Sequence, residues 1–316
     1  MTVVNITPLM KATGSSVRGT VMVTPNMSGV EACVRDDWMY LGIRTICDIA
    51  QEKGDRIRSA AGIGSGNGIV EIAMLHAFDV LETLYVTDIL PEILPKIQLN
   101  IDRHHGNTKG VKLSYGVGPD CNPLPEPIDF IYANLPLIMV DKTSLHTQLA
   151  TTTLTDASRY MKLNRGDDDI LRKWSLLSQL GFLLSAKEKL CPGGTIITLL
   201  GGRIPYETIV ELFTRAGLQF RERYCAFKRQ SDPQFLREYA AYETRERVHF
   251  SFYNYALAAN IIQQQLRVNV PDIVPVRGDE LKSLIASAQI SASEAHSYAL
   301  RGESVGHLAF AFEAFQ

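Results

Sequence analysis

Between Arg56 and Leu200, short apolar runs alternate with stretches of helical spacing, and no other feature limits the fold so tightly. RIRSAAG, TLYVTDI, VKLSY, IDFIYA and TIITLL read as strands. GIVEIAMLHAF, PEILPKIQLNIDRHH and the long DDDILRKWSLLSQLGFLLSAKEKL read as helices between them. Strands that are apolar almost throughout belong to a parallel sheet covered on both faces. Right-handed connections then make it an α/β, doubly wound sheet. After Leu200 the pattern changes. PYETIVELFTRAGL predicts a helix stopped by glycine. LQFRERYCAF and RVHFSFYNYAL alternate as an antiparallel pair would, with a helical QFLREYAAYETRE between them. The expected divisions are an N-terminal lid or substrate segment (1–50), a core (51–260) holding an irregular active-site loop (138–166), and a helical C-terminal extension (261–316). In the first of these, VMVTP is extended and VRDDWMYLGIRTICDIAQ is helical.

Composition removes several classes of function. A formal net charge of −2 gives no basic footprint for nucleic acid. No apolar run approaches the ~18 residues of a membrane span, and the start has no signal-peptide pattern. Five scattered cysteines without a C-x-x-C fit a reducing, cytoplasmic setting and give no zinc spacing.

AGIGSGNGIVEIAM places glycines at 62, 64, 66 and 68 between a strand and a helix. The dinucleotide fingerprint G-x-G-x-x-G/A does not fit, and no lysine follows to make a P-loop. An acid, Asp88, ends the next strand 20 residues beyond Gly68. A carboxylate there can accept hydrogen bonds from both hydroxyls of a ribose, and the glycine turn leaves room for the rest of a nucleoside.

Together these residues resemble class I S-adenosylmethionine-dependent methyltransferases, over roughly Arg56 to Leu200. The resemblance implies a mostly parallel, seven-stranded Rossmann-like sheet with an antiparallel C-terminal strand. It implies S-adenosylmethionine as cofactor and S-adenosylhomocysteine as product. The cofactor contacts it implies are Ala60, Gly62, Gly64, Gly66, Asn67, Asp88, Ile89 and Asn134. The family usually has an acid two residues before the first motif glycine; counted from Gly62, that place is Ala60. The strand IDFIYA ends in Asn134-Leu135-Pro136-Leu137, which is similar to the Asn-Pro-Pro-Tyr motif of amino-methyltransferases, the protein-glutamine N5 branch among them. The resemblance makes Asn134, Leu135 and Pro136 the catalytic stretch. The Asn134 oxygen and the Leu135 carbonyl would accept the target N–H groups and aim the nitrogen lone pair. Leu137 stands where the aromatic platform for a flat substrate would be, which argues against a flipped base. VMVTP and LLSAKEKLCPGGTIITLL also resemble segments of that branch.

On the substrate side, the loop and the helix start after it offer His146, Tyr160, Arg165 and Asp168, groups that suit an amino acid, amine or guanidino compound. The leading expectation is N-methylation of a small nitrogenous metabolite in specialised metabolism. C-methylation of an α-keto acid with His146 as proton acceptor, protein N-methylation, and a non-catalytic binding module are the alternatives. Neither a nucleic-acid nor a membrane partner is expected, and a homodimer is left open.

Overall fold

A computed structural model describes residues 2–25, 27, 29–106, 110–125, 127–140, 154–230 and 232–316. Seven strands carry the main sheet: β1 (Ser59–Ile63), β2 (Thr83–Asp88), β3 (Lys112–Val117), β4 (Ile128–Ala133), β5 (Leu190–Gly201), β6 (Gln219–Arg229) and β7 (Val305–Phe315). Their spatial order is β3-β2-β1-β4-β5-β7-β6. The pairs among β1 to β5 are parallel, and β7 runs antiparallel between β5 and β6. The fold is therefore the doubly wound, mostly parallel α/β sheet expected. Three short strands extend it to ten: 252–254, 272–274 and 289–290. No helix among the described residues is long and apolar enough to cross a membrane.

Seven helices matter for the site: α1 (Trp38–Lys53), α2 (Ile69–Ala77), α3 (Leu94–His105), α4 (Leu177–Lys189), α5 (Tyr206–Ala216), α6 (Pro233–Glu246) and α7 (Tyr255–Leu266). Neighbouring residues of one strand point to opposite faces. Ala60 and Phe130 thus join the core under α1 and α2, while Ala61 and Ile131 join the core under α4 and α5. Each fully buried Leu, Ile or Phe of these layers contributes about 1.5–3 kcal/mol.

The sequence reading needs three corrections. The segment 261–316 is not a helical extension, because its last strand, β7, completes the sheet. The partners of LQFRERYCAF are β7 and the strand 272–274; RVHFSFYNYAL supplies only the strand 252–254, whose Asn254 side chain caps α7. The long helix before β5 is broken: a short helix Ile170–Lys173 ends at Trp174, Ser175 takes a φ of 61°, and α4 starts at Leu177. The break lets Trp174 pack edge-on against Phe250 at 5.6 Å. Within the loop 138–166, residues 138–140 and 154–156 pair as a short parallel ribbon.

Candidate functional site

In an open α/β sheet, ligands bind beyond the carboxyl ends of the strands. Ile63 of β1 lies level with Thr87 of β2 and Ala133 of β4, so the next residues, Gly64, Asp88 and Asn134, emerge together at that edge. A β-carbon on Gly64 would stand 3.1 Å from Leu135 Cδ2, so the glycine loop and the Asn134 turn are in contact.

The loop owes its shape to three glycines. Gly64, Gly66 and Gly68 have φ of 67°, 56° and 80°, the left-handed region that costs other residues energy. Gly62 belongs to β1 itself. Counted from the first loop glycine, Gly64, the place of the expected acid is Gly62 rather than Ala60. Ala60 is fully buried in the core beneath α1 and α2, so its side chain does not open onto the loop.

A carboxyl does reach this place, but from the helix. A β-carbon on Gly62 would fall 1.9 Å from Glu71 Oε1, 2.7 Å from its Cδ and 3.0 Å from its Cγ. Glu71 lies in the first turn of α2 and is 1% exposed. Its carboxyl meets the Ser65 hydroxyl and its own backbone N–H, while Oε2 has no partner among the described residues. Burial, with the nearby Asp88 charge adding to it, raises its pKa from 4.5 to about 7. The signal for Glu71 was a lone acid inside the apolar IVEIAM.

Asp88 is nearly buried and held by the loop. Its Oδ2 accepts the Gly66 N–H at 3.1 Å and its Oδ1 the Leu90 N–H at 3.0 Å, and the Ile89 N–H also turns to the carboxyl, whose acceptor capacity is thus only partly used. Burial raises its pKa, against the pull of these amides. Ile89 beside it is 41% exposed, an apolar face next to a hydroxyl-binding acid. Asn67 is buried, and its side chain is used structurally: Oδ1 caps α2 at the Ile69 N–H and Nδ2 faces Met39 Sδ at 3.6 Å.

Asn134 is exposed, and its side chain makes no hydrogen bond among the described residues. The two carbonyls after it are not free. Buried Gln179 of α4 donates to Leu135 O at 3.2 Å and to Pro136 O at 3.4 Å, which fixes the turn. Nothing in the sequence marked Gln179, because its role exists only once α4 packs under β4.

Of the four expected substrate residues, the three that are described do not assemble at this edge. His146 lies outside the described residues. The Tyr160 hydroxyl is buried and taken by Asp120 at 3.0 Å. Asp168 is fully exposed and pairs with Lys173 at 2.7 Å. Asp169 beside it caps the short helix and forms a buried ion pair with Arg215 at 2.6 Å. Asp168 and Asp169 thus serve a helix start. Arg165 lines a shallow hollow with Asp168, Glu211 and Arg215, to which no residue of the glycine loop contributes.

No protein-family model matches this chain, and no curated protein does. Solved structures do resemble it. A candidate RNA methyltransferase from Pyrococcus horikoshii shares 11% identity over 96% of this chain and 94% of its own, with a TM-score of 0.41. The StiE O-methyltransferase region shares 12% over 85% of this chain and 71% of its own, with a TM-score of 0.40. Precorrin 8w decarboxylase from Methanobacterium thermoautotrophicum shares 16% over 68% and 88%, with a TM-score of 0.36. At such identities and TM-scores none of them says what this chain binds or acts on.

Proposed function

We propose that this chain is an S-adenosylmethionine-dependent methyltransferase that methylates nitrogen on a small metabolite. One observation carries the reading: a left-handed glycine loop, an acid with acceptor capacity to spare, and a buried carboxyl oxygen and an asparagine side chain that have no partner among the described residues meet at one sheet edge. These residues fit the cofactor. Asp88 would hold the ribose hydroxyls, Glu71 Oε2 the ammonium of the methionine end, and Ile89 would lie against the base. Gly64 and Gly66 leave the loop without side chains where that ligand would pass. When bound, the cofactor supplies a methyl group on positively charged sulfur, ready for a nucleophile.

The protein's own part is to position the acceptor. The Asn134 side-chain oxygen would accept an acceptor N–H and turn the nitrogen lone pair toward the methyl group. The second lone pair of the Leu135 carbonyl would take another N–H, with Gln179 holding that carbonyl still. Growing positive charge on nitrogen then faces two acceptors, the Leu135 carbonyl held by Gln179, and no covalent step with the enzyme is needed. Asn134 favours nitrogen over carbon as the acceptor, because an amide oxygen cannot remove a proton from carbon.

Titration calorimetry with S-adenosylhomocysteine tests the cofactor assignment. Wild-type protein should bind it; no binding sinks the reading. Asp88→Ala should weaken binding about a hundredfold, the loss of two hydrogen bonds to a charged acceptor. Unchanged affinity would reject Asp88 as the ribose residue. Gln179→Ala should lower kcat about tenfold and leave S-adenosylhomocysteine affinity alone, since it loosens only the acceptor turn. Labelled cofactor with a metabolite pool, followed by mass spectrometry, would identify the acceptor and separate N- from C-methylation. Label in macromolecules instead would point to protein methylation.

A further inference from the structure

At the same carboxyl edge, past the end of β5, lies a buried cation without a counter-ion among the described residues. Arg203 is 2% exposed. Four rings surround its guanidinium carbon: Tyr239 at 5.0 Å, Phe235 at 5.3 Å, Phe252 at 5.4 Å and Trp38 at 6.0 Å. Its one side-chain hydrogen bond is from Nη1 to the Tyr239 hydroxyl at 3.3 Å. Nε and Nη2 are buried and have no partner, and no carboxylate among the described residues pairs with them.

These two nitrogens lie on the same side of the guanidinium. They form the side-on fork that meets both oxygens of a carboxylate in parallel hydrogen bonds. Ring faces attract a guanidinium but accept none of its in-plane N–H groups. An unpaired buried charge is costly, and two orphaned donors add to the cost.

The neighbourhood offers no compensation. His307 of β7, stacked on Trp38 at 5.6 Å, is fully buried, and burial together with Arg203 and Lys228 keeps it neutral. Lys228 of β6, opposite His307, is a second buried cation. It donates to the carbonyls of Arg35 and Asp37, with the Asp37 carboxyl facing it. Lys228 therefore has a carboxylate beside it, and Arg203 has none among the described residues. Trp38 and Phe235 are only partly buried, so they are the outer wall of the cage.

We propose that Arg203, through Nε and Nη2, is the binding site for an organic carboxylate, entered past Trp38 and Phe235. As the carboxylate of the methyl acceptor it rests on the methyltransferase reading; as a carboxylate site it does not. The acceptor would then carry a carboxylate as well as the nitrogen that Asn134 addresses.

Trp38 reports on the site directly. The sequence has two tryptophans, so Trp174→Phe leaves Trp38 as the only one. That full-length protein, without cofactor, is titrated with sodium benzoate against sodium chloride of equal ionic strength. A saturable change in Trp38 emission is expected. Arg203→Lys, which keeps the charge among the rings but loses the fork, should weaken it at least tenfold. Arg203→Met should abolish it while S-adenosylhomocysteine still binds. No saturable response, or the same affinity in Arg203→Lys, overturns the proposal. A tighter response to inorganic phosphate than to benzoate overturns the carboxylate assignment. A benzoate response in a protein that does not bind S-adenosylhomocysteine keeps the site and removes the methyltransferase reading.

Discussion

Gly62→Asp should fail to give a folded protein on its own, and Glu71→Ala in the same chain should restore it. The β-carbon alone would lie 1.9 Å from Glu71 Oε1 and 3.0 Å from its Cγ. Glu71 is 1% exposed and lies directly against Gly62, so its side chain would have to be displaced. Overpacking of this kind costs about 1–3 kcal/mol, and a second carboxyl in the same buried space adds to it. The single variant should lose roughly 5 kcal/mol or more, the whole stability of a marginal domain. Aspartate adds four heavy atoms at position 62 and Glu71→Ala removes four. The double variant restores both volume and charge, with the carboxyl now on the strand. Denaturant melts of the two proteins read the stability. S-adenosylhomocysteine affinity in the double variant reads whether the carboxyl has the same role from either side. A double variant no more stable than Gly62→Asp would mean that Glu71 does not occupy the place of the strand acid.

This exchange also shows what was legible in the sequence. The alternation of strand and helix could be read because the strands are apolar runs and the helices have one apolar face. Asp88 and Asn134 could be read because each ends a strand, so chain order alone brings them to one edge. VGHLAFAFEAF was not read as β7. Almost every residue of it is buried on both faces, so it lacks the polar alternation of a half-exposed strand, and its alanines suit a helix. The break at Ser175 carries no glycine or proline. Glu71, Gln179 and Arg203 escaped for a different reason. Each acts through contacts made by a distant element: Glu71 with the glycine loop, Gln179 with the β4 turn, Arg203 with rings from α1, α6 and the strand 252–254. Spacing along the chain holds no trace of such contacts. Ala60 was misplaced because four glycines stand where the turn uses three, and only their φ angles tell the strand glycine from the loop glycines.

Raising the pH from about 4.5 to about 7 should destabilise the ligand-free protein by about 3 kcal/mol through Glu71 alone. Its carboxyl titrates near 4.5 in the unfolded chain and at about 7 in the folded one, chiefly because burial penalises the charge. In that window the folded state holds a proton that the unfolded state has released, so stability falls as pH rises, and the effect is complete above about 7. Other raised acids, such as Asp37 and Glu222, act in the same direction, while lowered ones, such as Glu313 and Asp169, are ionised in both states above about 4.5 and act only at lower pH. The difference between wild type and Glu71→Gln in urea melts at several pH values isolates the one residue; parallel curves would reject the assignment. An ammonium at Glu71 Oε2 would stabilise the carboxylate and expel its proton. Binding of S-adenosylhomocysteine at pH 6 should then release close to one proton per site, seen as a dependence of the calorimetric heat on the ionisation enthalpy of the buffer. 5′-Methylthioadenosine, which lacks the ammonium, should release none, and Glu71→Gln should release none with either ligand. Equal proton release by both nucleosides would place the ammonium elsewhere and leave Glu71 a buried acid without a ligand.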